Sequence, residues 1–301
     1  MRISSALLLM LLFGAGRGEA WNRGSSSSAR VTIIYDSFGE RSDLTQDWGF
    51  AALIEAGGKR ILFDTGNNAA IFERNVKALH LDLRRLDFAV ISHRHGDHTS
   101  GLSYLLRVNP GITIYAPREG FGVFGAGLPG TFYRRESLLP ERMRYFHGDP
   151  PPQLRFGTPW PEAHFLLVDS LTEVAPGVTL LSNVSQNPGT LELRELSLAI
   201  QTPEGLLLVV GCSHPGIEKI VESSRPLGDR VRMIVGGLHL VFTADPEIER
   251  VALALRDSLG VRQVAPGHCT GEPAFAALQR VFGDRYLYAG LGTVLEVKPP
   301  E

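Results

Sequence analysis

The sequence predicts a layered α/β domain built on one mixed sheet or on two. Three observations carry this. Each half of the chain opens on strand hairpins, each then passes into alternating strands and helices, and no linker separates the halves. A length of 301 residues leaves room for a large buried core, and 44% hydrophobic with 21% charged residues excludes a disordered or fibrous chain. Thirty Lys and Arg against 32 Asp and Glu give a formal charge of -2, so no basic field draws nucleic acid.

The first 20 residues read as a signal peptide: Arg2, an apolar run over 6–13, then small residues at Gly18 and Ala20. The run is about half the length of a membrane span, and no cysteine follows it to take a lipid. Residues 21–30, with Gly24 and Ser25 to Ser28, read as a flexible linker. The expectation is an exported chain, periplasmic or secreted, with no membrane attachment once the leader is removed. The domain proper then runs over 31–301.

Residues 31–35, rich in β-branched and aromatic side chains, form a strand. Segments 49–55 and 60–63 flank Gly57-Gly58 and read as a hairpin. Over 69–79, Ile71, Phe72, Val76 and Leu79 recur at a helical period. A buried strand at 88–92 leads to a helix at 99–108, with Thr99 as its N-cap, and a strand at 112–116. The stretch at about 117–163 is dense in Gly, Pro and Arg and has no sustained period, so it reads as an irregular insertion with a functional role. Its Gly-rich run at 121–130 reads as a flexible or lid segment. Arg118, Arg134, Arg135, Arg142 and Arg144 either meet an anionic substrate or form a solvated face, the second being favoured. Strands resume at 178–182, 195–202 and 206–211, the last pair joined by Pro203-Glu204-Gly205. Helices at 216–223, 246–259 and 273–281 then alternate with strands at 231–235 and 263–265, before the closing strands.

The chemistry concentrates after the strand at 88–92, in Ser92-His93-Arg94-His95-Gly96-Asp97-His98. Imidazole and carboxylate are ligands for zinc and similar divalent ions. His93 and His95 share one side of an extended segment and can ligate one ion; Asp97 and His98, past the glycine, can turn to a second. His214, His239 and His268 each follow an apolar run at a strand-to-loop junction, which implies convergence. His80, His147 and His164 lack that context and read as exposed or locally bonded.

On these residues the sequence resembles the metallo-β-lactamase superfamily. The match is carried by Leu62-Phe63-Asp64-Thr65-Gly66, by His93-x-His95-x-Asp97-His98 and by Pro266-x-His268. Within it, four segments are similar to the dihydropterin ribofuranosylaminobenzene-phosphate synthase-like branch. They are Trp48-Gly49-Phe50, Gly211 to Ile217, Gly236 to Leu240 and Pro266 to Gly271. The resemblance implies a four-layer αββα sandwich with the metal site at one edge of the sheets. It implies one or two zinc ions, with iron or manganese as alternatives. His93 and His95 would hold the first ion; Asp97, His98 and His268 the second; Asp64 would orient a ligand. His214 is the choice for the remaining ligand, a departure from the family pattern. Most relatives have a separate third histidine and a bridging aspartate at a later strand end, whereas this strand ends in Cys212-Ser213-His214. Cys212 and Cys269 leave three readings open: a disulfide, thiolate ligation, or two buried thiols. The last is favoured for Cys269, and Cys212 is kept as a metal ligand.

Such a site predicts a hydrolase of an ester, lactone, amide or phosphoester bond in a small-molecule substrate. Asp97 would serve catalysis as proton acceptor, and His239 as hydrogen-bond donor to the substrate or as support for a ligand. Other classes stand beside it. One is a metal-dependent transferase or synthase on a phosphorylated pterin or aminobenzene compound, which export disfavours. Another is a metal- or redox-binding protein without turnover. No Ser-His-Asp arrangement, phosphate-binding P-loop or dinucleotide-binding glycine motif is recognisable.

Overall fold

The structure, a computed structural model, describes residues 28–118, 127–155, 160, 163–190 and 192–297. The segment read as a leader, most of that read as a linker and much of the Gly-rich run therefore lie outside the described residues.

Two sheets face each other. In chain order, β1 (Ala29–Tyr35), β2 (Ala51–Ala56) and β3 (Lys59–Phe63) are antiparallel neighbours. Helix α1 (Ala69–Ala78) leads to β4 (Phe88–Val90), then α2 (Gly96–Thr99), α3 (Leu102–Val108) and β5 (Thr113–Pro117). Strands β3, β4 and β5 run parallel. A small hairpin of β6 (Gly127–Pro129) and β7 (Gln153–Arg155) precedes β8 (His164–Val168), which pairs parallel with β5. The second sheet begins with the antiparallel β9 (Thr172–Ala175), β10 (Val178–Val184), β11 (Arg194–Thr202) and β12 (Gly205–Val210). Helix α4 (Ile217–Ser223), β13 (Val231–Gly237), α5 (Asp245–Leu253), β14 (Gln263–Gly267) and α6 (Glu272–Phe282) follow, with β12, β13 and β14 parallel. Strand β15 (Val294–Val297) returns to the first sheet beside β1.

The alternation of side chains along the strands builds the layers. Val31 and Ile33 of β1 with Ala52 and Ile54 of β2 point between the sheets, where they meet Leu196, Leu198, Leu207 and Val209. Their neighbours Ile34, Ala51 and Leu53 point outward to Phe72 and Val76 of α1 and Leu105 of α3. On the far side, Leu206, Leu208 and Val210 take Ile220 of α4, Val251 of α5 and Leu278 of α6. Strands covered on both faces are near-continuously apolar, hence the runs at 206–210 and 231–235. The result is the four-layer αββα sandwich.

Several local expectations need correction. Thr99 lies inside the short α2, and α3 starts after Gly101, so Thr99 is not an N-cap. Strands β8 and β9 have no counterpart in the sequence reading. Both are sheet edges, and β8 leaves Leu166 and Leu167 each 41% exposed, which blurs the period-2 signal. The helix expected over 246–259 is α-helical only to Leu253 and then loosens into a π turn at Ala254–Ser258. The insertion is less irregular than expected, since β6, β7 and two 3-10 turns fall within it. Among the described residues no helix is long and apolar enough to cross a membrane.

The parallel strands deliver function. The carboxyl ends of β3, β4, β12, β13 and β14 carry Asp64, Ser92, Cys212, His239 and His268 to one edge. Leu198, fully buried between the sheets, tests the core on which that edge rests. Leu198→Ala should lower unfolding stability by about 2–5 kcal/mol in urea titration, as large-to-small core changes do.

Candidate metal centre

Asp64, just past β3, adopts a left-handed backbone with φ 57° and is fully buried. Its carboxylate accepts three hydrogen bonds: from Ser92 N to Oδ1 at 2.7 Å, and from Ser92 Oγ and His98 Nδ1 to Oδ2, each at 2.7 Å. The His98 proton therefore sits on Nδ1. Because the Ser92 hydroxyl gives its proton to Asp64, it can only accept from His93 Nδ1, 2.9 Å away. The network thus assigns both rings an Nε2 that faces inward. Burial opposes charge on His98, yet the carboxylates of Asp97 and Asp64 raise its pKa to about 9. The Nε2 face of His98 is a place where the protein stabilises positive charge.

The second sheet presents its donors through another buried carboxylate. Glu195 of β11 accepts from three successive amides, Cys212 N at 2.9 Å, Ser213 N at 2.7 Å and His214 N at 2.7 Å. Ser213 has φ 65°, and its hydroxyl donates to Gly237 O at 2.7 Å. That turn presents Cys212 and His214 to the first sheet. The sheets meet so closely here that a Cβ on Gly211 would lie 2.2 Å from Ser92 Oγ. His268, φ 46°, is held by its backbone: its N donates to Asp36 Oδ2 at 2.9 Å, and its O accepts from the Tyr145 hydroxyl. Tyr145 comes from the insertion and also accepts from Gly271 N at 2.7 Å. The insertion is thereby bonded to a site residue.

The side chains so placed converge as two groups. His93 Nε2 lies 3.0 Å from His95 Nδ1 and 3.2 Å from His214 Nε2. His268 Nε2 lies 3.2 Å from His98 Nε2 and 3.3 Å from Asp97 Oδ2. Cys212 Sγ, 3.2 Å from His98 Nε2, groups with His93 and His98, between the two. Within each group the donor atoms lie within 4.8 Å of one another. Burial, reinforced by neighbouring imidazoles, pushes His93 well below the ordinary histidine range; burial, with His239 next, does the same to His214. With its proton on Nδ1, His93 offers a single Nε2 lone pair to both His95 Nδ1 and His214 Nε2, and only one of the two can donate to it. A tetrahedral zinc with ligand distances of about 2.0–2.1 Å would separate its nitrogens by about 3.3 Å, so the donors fit such a cation. Burial raises the pKa of Asp97, but the imidazoles of His98 and His268 outweigh it and keep the carboxyl ionised.

All nine residues singled out in the sequence come to this edge, while His80, His147 and His164 are exposed elsewhere. His239 lies beside His214 with its ring tilted, centroids 4.1 Å apart, and groups with Cys212 and Cys269 rather than with the imidazoles. Both cysteines are buried and free, so no disulfide joins them. A cleft of about 420 Å³ opens over the site, walled by Trp48, Phe132, Val241 and Phe242. Among the described residues no arginine lines it. Arg118, Arg134 and Arg142 are paired with Asp169, Asp245 and Glu40 instead, the solvated face favoured from sequence. Sequence reasoning missed Ser92, Glu195, Asp36 and Tyr145. It noted Trp48 without its role, which is to donate its indole N–H to Asp97 Oδ2 at 3.1 Å.

The comparisons agree with this geometry. The family model described as the metallo-beta-lactamase superfamily matches residues 46–268. A curated relative from Methanocaldococcus jannaschii, 7,8-dihydropterin-6-methyl-4-(beta-D-ribofuranosyl)-aminobenzene-5'-phosphate synthase, is 30% identical over 290 residues, covering 86% of this chain and 94% of its own. The crystal structure of Tm1679, a metal-dependent hydrolase of the beta-lactamase superfamily, is 27% identical with a TM-score of 0.68. That match covers 90% of this chain and 99% of that one. The metallo-beta-lactamase fold protein YhfI from Bacillus subtilis, at 15% identity and a TM-score of 0.52 over 90% of this chain and 100% of its own, shares the fold.

Removing the acceptor that sets two ring orientations should loosen the donors together. Asp64→Asn is expected to weaken divalent metal binding about 10–100-fold, the usual effect of losing a partner of a ligand. Competition with a chromophoric chelator measures it, and affinity equal to wild type would contradict the role given to Asp64.

Proposed function

The chain belongs to the metallo-β-lactamase superfamily, and from that premise we propose that it is an exported metal-dependent hydrolase of an ester, lactone, amide or phosphoester bond. The observation that carries this reading is the pair of donor groups at the floor of an open, apolar-walled cleft. His93, His95 and His214 would hold one ion; Asp97, His98 and His268 would hold a second, with Cys212 in reach of both. The donors suit zinc, with iron or manganese as alternatives. A bound divalent cation would acidify water and polarise a carbonyl or phosphoryl oxygen.

The chain's own groups supply the rest. The ionised Asp97 carboxylate, steadied by the Trp48 indole, accepts a proton from attacking water and returns one toward the leaving group. His239 stands in the cleft wall and is placed to donate a hydrogen bond to the developing negative oxygen. Trp48, Phe132 and Phe242 restrict water and receive the apolar part of the substrate. Export rests on the leader at 1–20 and is read by the mature N-terminus: mass spectrometry should find Trp21 first.

A second reading has a specific support. The 30% identical relative is named a synthase, so transfer on a phosphorylated pterin or aminobenzene compound stands as the alternative. Metal analysis of protein purified without added metal, with an ester, lactone and phosphodiester panel, separates the readings. One or two zinc ions with turnover supports hydrolysis; a coloured iron protein inert on the panel overturns it. The double variant His93→Ala, His95→Ala should lose at least one equivalent of metal, and unchanged content would sink the ligand assignment.

A further inference from the structure

Beyond the two donor groups that the hydrolytic reading uses, the same edge holds a third one of different chemistry. Cys212 Sγ, Cys269 Sγ and a ring nitrogen of His239 lie within 4.8 Å of one another. We propose that these three side chains form a sulfur-rich site for a thiophilic d10 cation, of the class of Zn2+, Cd2+ or Cu+. Thiolate with imidazole is the donor set that selects such ions over harder ones.

Local construction favours the site. Both thiols are buried and unbonded to each other. His239 Nδ1 is buried without a hydrogen-bond partner, and the residue is held at φ 51°, a conformation a histidine seldom adopts. Gly237 makes the room: a Cβ there would lie 2.8 Å from Cys269 Sγ and 2.5 Å from Gly211 O. The backbones are fixed by neighbours already described, Glu195 holding the Cys212 turn and Asp36 with Tyr145 holding the segment before Cys269.

Ligation converts each thiol to a metal thiolate and releases one proton per sulfur to solvent, with no change of oxidation state. Cys212 is shared, since its sulfur is also 3.2 Å from His98 Nε2. A soft cation on the sulfur side would draw Cys212 away from His93 and His98, so the site tunes which metals the neighbouring centre can keep. Hydrolytic turnover is not needed for any of this, so failure of the enzymatic reading leaves the inference standing.

Cadmium is the probe. Wild-type protein loaded with Cd2+ should show a thiolate-to-cadmium charge-transfer band of two-sulfur intensity. Cys269→Ser should halve it, and Cys212→Ser with Cys269→Ser should abolish it. His239→Gln should weaken Cd2+ binding about tenfold while the band keeps its intensity at saturation. A band of one-sulfur intensity that Cys269→Ser leaves unchanged would place Cys212 in the neighbouring centre alone and overturn the proposal, as would no band at all. Cadmium NMR of the wild-type protein decides the same question without a variant: a resonance in the range of two sulfur ligands supports the site, and one at or below the single-sulfur range refutes it.

Discussion

A fully buried carboxylate must be satisfied by hydrogen bonds or by a partner charge, and at Asp64 that requirement organises the whole edge. Two of its bonds come from Ser92 and one from His98, so a single carboxylate ties down both ends of the loop after β4. Through Ser92 the same carboxylate orients His93. Glu195 does the equivalent on the opposite sheet, gathering three amides that no strand could pair. The site is therefore positioned by two acids that do not themselves join the donor groups, each placed by the β-structure around it. The imidazoles follow from them.

The donors were legible because they cluster or recur in sequence. His93, His95, Asp97 and His98 fall within six consecutive positions, and the other histidines follow apolar runs at strand ends. The acids that hold them were not legible, because their partners are remote: Ser92 is 28 positions from Asp64, and His268 is 232 from Asp36. Nothing periodic marks such a pair. Asp64 stands out only through the family resemblance. The core strands were readable for a related reason, since burial on both faces leaves long apolar runs. Strands β8 and β9 were not, because an edge strand is free to mix polar and apolar side chains on either face.

The insertion shows a different limit. Its composition suggested an irregular segment with a role, and two residues tie it to the site: Phe132, which walls the cleft, and Tyr145, whose hydroxyl reaches His268 and Gly271. Around it, Phe38, Trp48 and Phe275 make an aromatic layer under the cleft, with ring centroids 5.1–6.2 Å from Tyr145. The cleft wall and one anchor of the metal centre are thus one packed unit. Variation in this segment among relatives would change substrate fit and metal retention together.

Four non-glycine residues at this edge, Asp64, Ser213, His239 and His268, hold left-handed backbones with φ between 46° and 65°. Each conformation costs on the order of 1 kcal/mol or more and persists because the surroundings over-determine it. Glycine at any of the four would relieve that strain and delete a functional group in the same step. Selection for thermal robustness alone would thus erode the site, and a thermostable laboratory variant of this chain needs its activity measured before its melting point is admired.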